Sequence, residues 1–351
     1  MSALDSAEFF ASMDPGGMRI LIQSVPAQVE GAAEVARTLS LAVPGHIDHV
    51  VISGMGGSAI GGDVIRSACA EYLKVPLLVC RDYRLPGFIG SSTVVFASSY
   101  SGNTEETLAA YDQARSVGAN IFCLTSGGKL AARACADGYP VIQIPAGLPP
   151  RAALGYCTST LLGAMTALKL IPDMTEALHG AVELLKSLVI RYGPEAVEQK
   201  NPAKAIARTL HGRVIAIYAS TVFDPVALRW RGQIEENAKT LAFHHVLPEM
   251  NHNELVGWEY PGEVLRKIAV VFLRDRGDHP QVQRRFELTK GILEQRAEVV
   301  HEIWSEGESL LARLHSLICL GDFVSFYLAC LNAVDPTPVA VIENFKEKLG
   351  K

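Results

Sequence analysis

Continuous apolar runs recur along the first half of the chain: HVVISGMG from residue 49, VPLLVC from 75, TVVFASS from 93, NIFCLTS from 120 and PVIQIPA from 140. Runs of this length without polar alternation mark strands covered on both faces, the pattern of a parallel sheet. Residues 58–73, 103–117 and 130–136 lie between them with helical spacing, so the order of elements predicts right-handed βαβ crossovers. Two further helices are predicted at 152–170 and 175–191, after which the alternation returns. Strands are predicted from residue 213 (RVIAIYAS), 241 (LAFHHVLP), 267 (KIAVVFLRD) and 298 (EVVHEIWS), again with helices between them. A long helix at 308–331 and a short one at 338–349 finish the chain. Pro172 and Pro194 interrupt the pattern midway. The reading is therefore α/β: two doubly wound parallel-sheet domains, 1–172 and 173–351, with a helical C-terminus.

Composition narrows the function classes. Hydrophobic residues make up 49% and charged residues 20% of the 351 residues, the balance of a packed globular protein. A net charge of −5 with no basic face excludes a nucleic-acid partner but not a small phosphorylated ligand, whose binding is decided by local donors. Seven scattered cysteines form no C-x-x-C element and read as core residues of a reduced, cytoplasmic protein. The apolar stretches 152–168 and 314–334 contain polar residues, among them His315 and Asp322, and read as buried helices rather than membrane spans. The start of the chain lacks the charged-then-apolar layout of a secretory signal.

Two loops carry the chemistry. Ser53-Gly54-Met55-Gly56-Gly57-Ser58 follows one predicted strand and opens a helix, where glycines allow close backbone approach and the helix N-terminus offers N–H donors. Its spacing also loosely imitates a dinucleotide fingerprint, with Asp82 at the distance of a ribose partner. Ser98-Ser99-Tyr100-Ser101-Gly102-Asn103-Thr104 follows another strand and gathers three hydroxyls around a glycine. Such a loop is a neutral cradle for a phosphate monoester, although Ser101 or Asn103 as an ordinary N-cap would account for it too. Two such loops at the carboxyl ends of parallel strands favour the ligand reading. Thr125-Ser126-Gly127-Gly128-Lys129 adds a third, whereas the matching loop of the second half, residues 218–224, lacks the glycines. His46 with His49, and His244 with His245, lack neighbouring Cys or carboxylate ligands, so no metal site is expected. Strand alternation sends His244 and His245 to opposite faces.

GMGGSAIGGD and SYSGNTEET resemble the SIS (sugar isomerase) domain, and the chain as a whole is similar to the bifunctional phosphoglucose/phosphomannose isomerase family. The resemblance runs through Pro149-Pro150-Arg151-Ala152-Ala153, Glu235-Glu236-Asn237-Ala238-Lys239 and Pro248-Glu249-Met250-Asn251-His252-Asn253-Glu254, in the family's order. It implies two SIS-type, flavodoxin-like domains with one active site between them and an aldose–ketose isomerase that needs no cofactor or metal. Glucose 6-phosphate, and mannose 6-phosphate with it, would be interconverted with fructose 6-phosphate. Gly56, Gly57, Ser58, Ser99, Ser101 and Thr104 would hold the phosphate. Glu236 would be the catalytic base, Arg151 would stabilise the intermediate, His252 would assist ring opening, and Lys346 falls where the family has a final active-site lysine. The resemblance further implies a homodimer in which the histidine comes from the neighbouring subunit. The segment around Thr337 departs in its spacing to Lys346 from archaeal members, whose threonine is linked to use of mannose 6-phosphate.

These residue types suit the reaction. A single carboxylate can move a proton between C2 and C1, and adjacent Glu235 would point about 100° away on a helix, so only one of the pair can face the substrate. A cation held near the enediolate stabilises its charge, and imidazole has the intrinsic pKa for ring opening. The competing reading is a non-catalytic SIS-domain sugar-phosphate sensor, which needs the cradle but no base.

Overall fold

A computed structural model describes residues 3–349, which form two compact units. The first comprises Ser24–Leu185 and Gly307–Leu314. Its five strands are β1 (His49–Ser53), β2 (Leu77–Cys80), β3 (Thr93–Ser98), β4 (Asn120–Thr125) and β5 (Val141–Gln143). All neighbours are parallel, in the order β2-β1-β3-β4-β5. Every residue of β3, the central strand, is buried, which explains its unbroken apolar run. Successive strands leave β1 in opposite directions, so the loops after β1 and β3 diverge at a topological switch point, where ligands of open α/β sheets bind.

The helix Gly56–Ala68 stops short of the predicted 73, and β5 is only three residues long. A helix that the apolar pattern does not announce, Val25–Arg37, packs on Leu154–Ala167. The contact is made through small residues: a Cβ on Gly163 would stand 2.0 Å from the Ala36 Cβ. The buried positions of Val25–Arg37, which are Pro26, Gln28, Val29 and Ala32, are mixed in character, so no apolar run marks it.

The second unit comprises residues up to Gln23, Lys186–Glu306 and His315 onward. Its strands β6 (Val214–Ser220), β7 (Ala242–Leu247), β8 (Ile268–Arg274) and β9 (Val299–Trp304) are parallel in the order β7-β6-β8-β9. This is the plan of the first sheet with one strand fewer. The predicted boundary at 172/173 follows the break in pattern, whereas contacts place the first 23 residues with the second half. The reason is long-range. Lys204 is fully buried; its ammonium donates to Asp5 at 3.2 Å and to the carbonyls of Pro194 and Ala196, over the rings of Phe10 and Tyr327.

The helix Leu310–Leu331 is long and apolar enough to cross a membrane, but 94% of its most apolar window is buried inside the protein. Trp230 lies against it, donating from Nε1 to the Leu317 carbonyl at 2.7 Å over the space left by Gly321. One turn on, Arg229 meets Asp322 through two bonds of 3.0 and 2.9 Å, with both side chains buried. All seven cysteines are unpaired, and only Cys135 is exposed.

Removing one member of the Arg229–Asp322 pair leaves a buried charge without its counterion. Asp322→Ala is expected to cost about 3–5 kcal/mol, whereas replacing both residues by leucine should cost far less. Urea unfolding of the two variants checks this, and equal losses would count against it.

Candidate active site

The first unit assembles the predicted phosphate loops at the carboxyl edge of its sheet. Ser58 lies in the first turn of Gly56–Ala68, whose N-cap position is held by Met55, a side chain that makes no capping bond. Its Oγ accepts from the Tyr100 N–H at 3.3 Å, so the loop after β1 is bonded directly to the loop after β3. There the Ser99 and Thr104 hydroxyls stand 2.9 Å apart, and Ser101 is exposed, its Oγ accepting from the Asn103 N–H at 3.2 Å. The N-cap of the helix Glu105–Ser116 is Thr104, whose side chain makes no bond to the helix, rather than Ser101 or Asn103. Its hydroxyl is thus directed to Ser99 and away from capping. Two helix N-termini without side-chain capping bonds, beside several hydroxyls, are a donor-rich arrangement suited to a dianionic oxygen group.

The loops interlock at the van der Waals limit. Gly102 has φ +67°, and a Cβ there would lie 1.9 Å from the Gly127 carbonyl oxygen. The third loop is locked by the Thr125 and Ser126 hydroxyls and by Lys129 N–H donating to Asn103 Oδ1 at 3.2 Å. Tyr100 closes the edge, its hydroxyl donating to Pro145 O at 2.9 Å and accepting from Leu148 N–H at 3.0 Å; burial raises its pKa. On the other side, a Cβ on Gly57 would lie 2.9 Å from Pro150 O and 3.6 Å from Arg151 Cα. Arg151 sits in the 3₁₀ turn Pro150–Ala153 and is 5% exposed, with the next carbonyl, Ala152 O, held by Gln28 Nε2 at 2.8 Å. The structure therefore brings Gly56, Gly57, Ser58, Ser99, Ser101, Thr104 and Arg151 together in one unit.

Glu236, His252 and Lys346 belong to the second unit. Glu235 and Glu236 are both half-buried in the last turn of the helix Asp224–Ala238. They are not equivalent: Glu235 is 3.7 Å from Arg231, and burial raises its pKa. The residues after Glu236 fix the helix end. Asn237 is fully buried and donates to Ser325 Oγ at 3.0 Å, and Lys239 takes the left-handed conformation that ends the helix.

His252 is exposed at the end of the 3₁₀ turn Glu249–His252, which follows β7. Its neighbours hold the turn: Asn251 donates to Thr289 Oγ1 at 2.8 Å and Asn253 to Glu249 Oε1 at 2.9 Å. Glu254, which the sequence alone does not single out, anchors the next residue. It bonds His245 Nδ1 at 2.8 Å and accepts from the Tyr218 hydroxyl, itself 3.0 Å from Trp258 Nε1. Burial raises the Tyr218 pKa, and the Glu254 carboxylate reinforces it. His244 points the other way, to Asp224 at 3.4 Å, as strand alternation requires. It follows that the helix bearing Glu236 and the turn bearing His252 lie on opposite faces of the β6–β9 sheet.

Lys346 is exposed on the helix Ala340–Leu349, none of whose residues is buried. A separate cavity of about 640 Å³ in the first unit is lined by residues that include Glu34, Arg37, Ser159, Asp173 and His179. Among the described residues, its lining contains no predicted site residue.

The chain is similar to known proteins in sequence and in fold. Residues 199–349 match the model of the bacterial phospho-glucose isomerase C-terminal SIS domain. The chain is 45% identical over 332 residues to a bifunctional phosphoglucose/phosphomannose isomerase of Caldicellulosiruptor bescii, which takes in 94% of this chain and 98% of the relative. A protein of the same description from Aquifex aeolicus is 39% identical over 304 residues, 86% of this chain and 90% of that one. Among solved structures, a glucose-6-phosphate isomerase like protein from Thermus thermophilus superposes with a TM-score of 0.64 at 22% identity. The match covers 96% of this chain and 98% of that one, a likeness of fold.

The contact at Gly102 leaves no room for a side chain. Gly102→Ala is expected to push the loop after β3 off the third loop and to weaken binding of a phosphate monoester by at least about tenfold. Calorimetric titration checks this; unaltered binding would show that the loop does not shape the cradle.

Proposed function

Since the chain belongs to the bifunctional phosphoglucose/phosphomannose isomerase family, we propose that it interconverts glucose 6-phosphate and mannose 6-phosphate with fructose 6-phosphate in the cytoplasm. The observation that carries this reading is the hydroxyl cradle itself. Ser58, bonded to the Tyr100 N–H, and Ser99, paired with Thr104, stand on two loops joined at the carboxyl edge of the sheet and supply hydroxyl donors of the kind that bind a phosphate. Seven unpaired cysteines accord with a reducing compartment.

With the phosphate anchored at one end, the sugar's reacting carbons are confined to the radius of one hexose, and binding energy is used to orient them. His252 exchanges the protons that open the ring. Glu236 takes the proton from C2, giving a planar cis-enediol, and returns it to C1 as the hydroxyl proton passes between O1 and O2. Arg151, immobilised by its burial and by the proline before it, stabilises the oxygen charge that develops. The two aldoses differ only at C2, which becomes planar in the intermediate, so one base serves both. Hydrogen moves within one molecule and no net oxidation occurs, so the chemistry calls for no redox cofactor.

The active unit in this reading is a homodimer in which His252 acts in the partner's site. Two observations support it. Within one chain the sheet stands between the supports of Glu236 and His252, while one hexose must reach both groups. His252 is also followed by exposed apolar side chains, Val256, Tyr260 and Val264, which are 74%, 82% and 53% accessible, the kind of surface that marks a protein interface.

Glu236→Gln removes the base but keeps the side-chain shape. Turnover of both aldose phosphates in a coupled assay is expected to fall by about 10²–10⁴-fold with binding of the esters retained. Wild-type protein that binds the esters without turning them over would replace the enzyme by a sensor. Donation of His252 has its own test. Mixing and reassociating Glu236→Gln with His252→Ala subunits should restore about a quarter of wild-type activity, since half of the dimers then carry one complete site. No recovery on mixing would place both groups in the same subunit's site.

A further inference from the structure

We propose that Lys239 is a positioning residue that clamps the terminal segment carrying Lys346 to the end of the helix carrying Glu236. The proposal rests on the roles given above to Glu236 and Lys346. Its first support is conformational. Lys239 closes the helix Asp224–Ala238 with φ 55° and ψ 30°, a left-handed position that glycine fills without strain. Lysine at this position bears a backbone strain that glycine would avoid.

The second support is what that side chain does. An ammonium has three N–H groups, and three backbone carbonyls receive them: Glu236 O, Pro338 O at 2.8 Å and Pro336 O at 3.3 Å. Pro336 and Pro338 have no N–H of their own, so their stretch of chain cannot be held by the usual exchange of backbone bonds. The remaining supports fix the same corner. Asn332 Nδ2 donates to Ala238 O at 2.8 Å and to Thr240 Oγ1 at 2.9 Å, Asp335 Oδ1 accepts from Thr337 N–H at 2.9 Å, and Gly16 leaves room for the Thr337 side chain. Beyond this corner the helix Ala340–Leu349 has no buried residue to hold it. The placement of Lys346 is therefore inherited from the clamp. One ammonium sets the base's helix end and the root of the terminal helix in register.

The test uses Lys239→Gly, which removes the ammonium while relieving the left-handed strain, so a residue acting only as a cap would be improved by it. The full chain is compared with wild type by thermal unfolding, by hydrogen exchange of the amides of residues 340–349 and by steady-state kinetics on glucose 6-phosphate. The expected result is a thermal midpoint no lower than wild type, terminal-helix exchange at least about tenfold faster, and a loss of about tenfold or more that falls on kcat rather than KM. Lys239→Gly combined with Lys346→Ala should be no slower than Lys346→Ala alone, because both changes remove the same contribution. Unchanged exchange overturns the clamp, and faster exchange with full kcat, or additive losses in the double variant, overturns its coupling to catalysis. If wild type itself does not isomerise the sugar, the functional reading fails and the exchange result alone decides whether Lys239 holds the terminal helix.

Discussion

The first unit depends on backbones that approach too closely for any side chain to intervene. Gly102 against the Gly127 carbonyl and Gly57 against the Pro150 carbonyl bring four separate loops to one edge of the sheet. Everything chemical in that unit is a consequence. With the loops in contact, the Tyr100 N–H reaches Ser58, the Ser99 and Thr104 hydroxyls meet, and Arg151 is carried on the turn that presses on the first loop. Flexible serines spread over loops would lose much of their advantage to ordering on binding; serines held by packed backbone have already lost that freedom.

What could be read from the sequence follows the same division. The inner strands of both sheets were legible because they are covered on both faces and write unbroken apolar runs, β3 most clearly, whereas the outer strands β2, β7 and β9 are only partly buried. The loops after β1 and β3 were legible as strand-to-helix turns because glycines and hydroxyls follow a buried strand there, and their phosphate role is the proposal made above. The helix Val25–Arg37 was not legible, since its buried positions, Pro26, Gln28, Val29 and Ala32, form no apolar run. Nor was the membership of the first 23 residues in the second unit, which rests on the burial of Lys204 beneath Phe10 and Tyr327, far away in sequence. In the site, the motif names Glu236 but gives no hint that Asn237 and Lys239 fix the end of its helix through bonds to residues nearly a hundred positions on. Glu254 likewise stands in a recognisable segment, yet its hold on Tyr218 and His245 appears only when β6 and β7 are side by side.

The two sheets share a winding but not an outfit. In the second, the loop after β6 has no glycine and passes straight through a 3₁₀ turn into its helix. In the proposed reading, the side chains that matter there are instead borne by the C-terminal turn of that helix and by the turn after β7. On that reading one architecture supplies a backbone cradle in one copy and side-chain chemistry in the other, in keeping with the general finding that function resides in sites grafted on folds.

The distribution of sulfur has a practical outcome. Six of the seven thiols are buried, and burial pushes those of Cys69, Cys123 and Cys330 up to about 12, so they are poor nucleophiles at neutral pH. Cys135 alone is exposed, near the end of the helix that starts from the third loop of the cradle. A maleimide dye would therefore attach at a single natural position, without any engineered cysteine. There it would ride on the helix that starts from the third loop, with the residues of the loop itself left untouched.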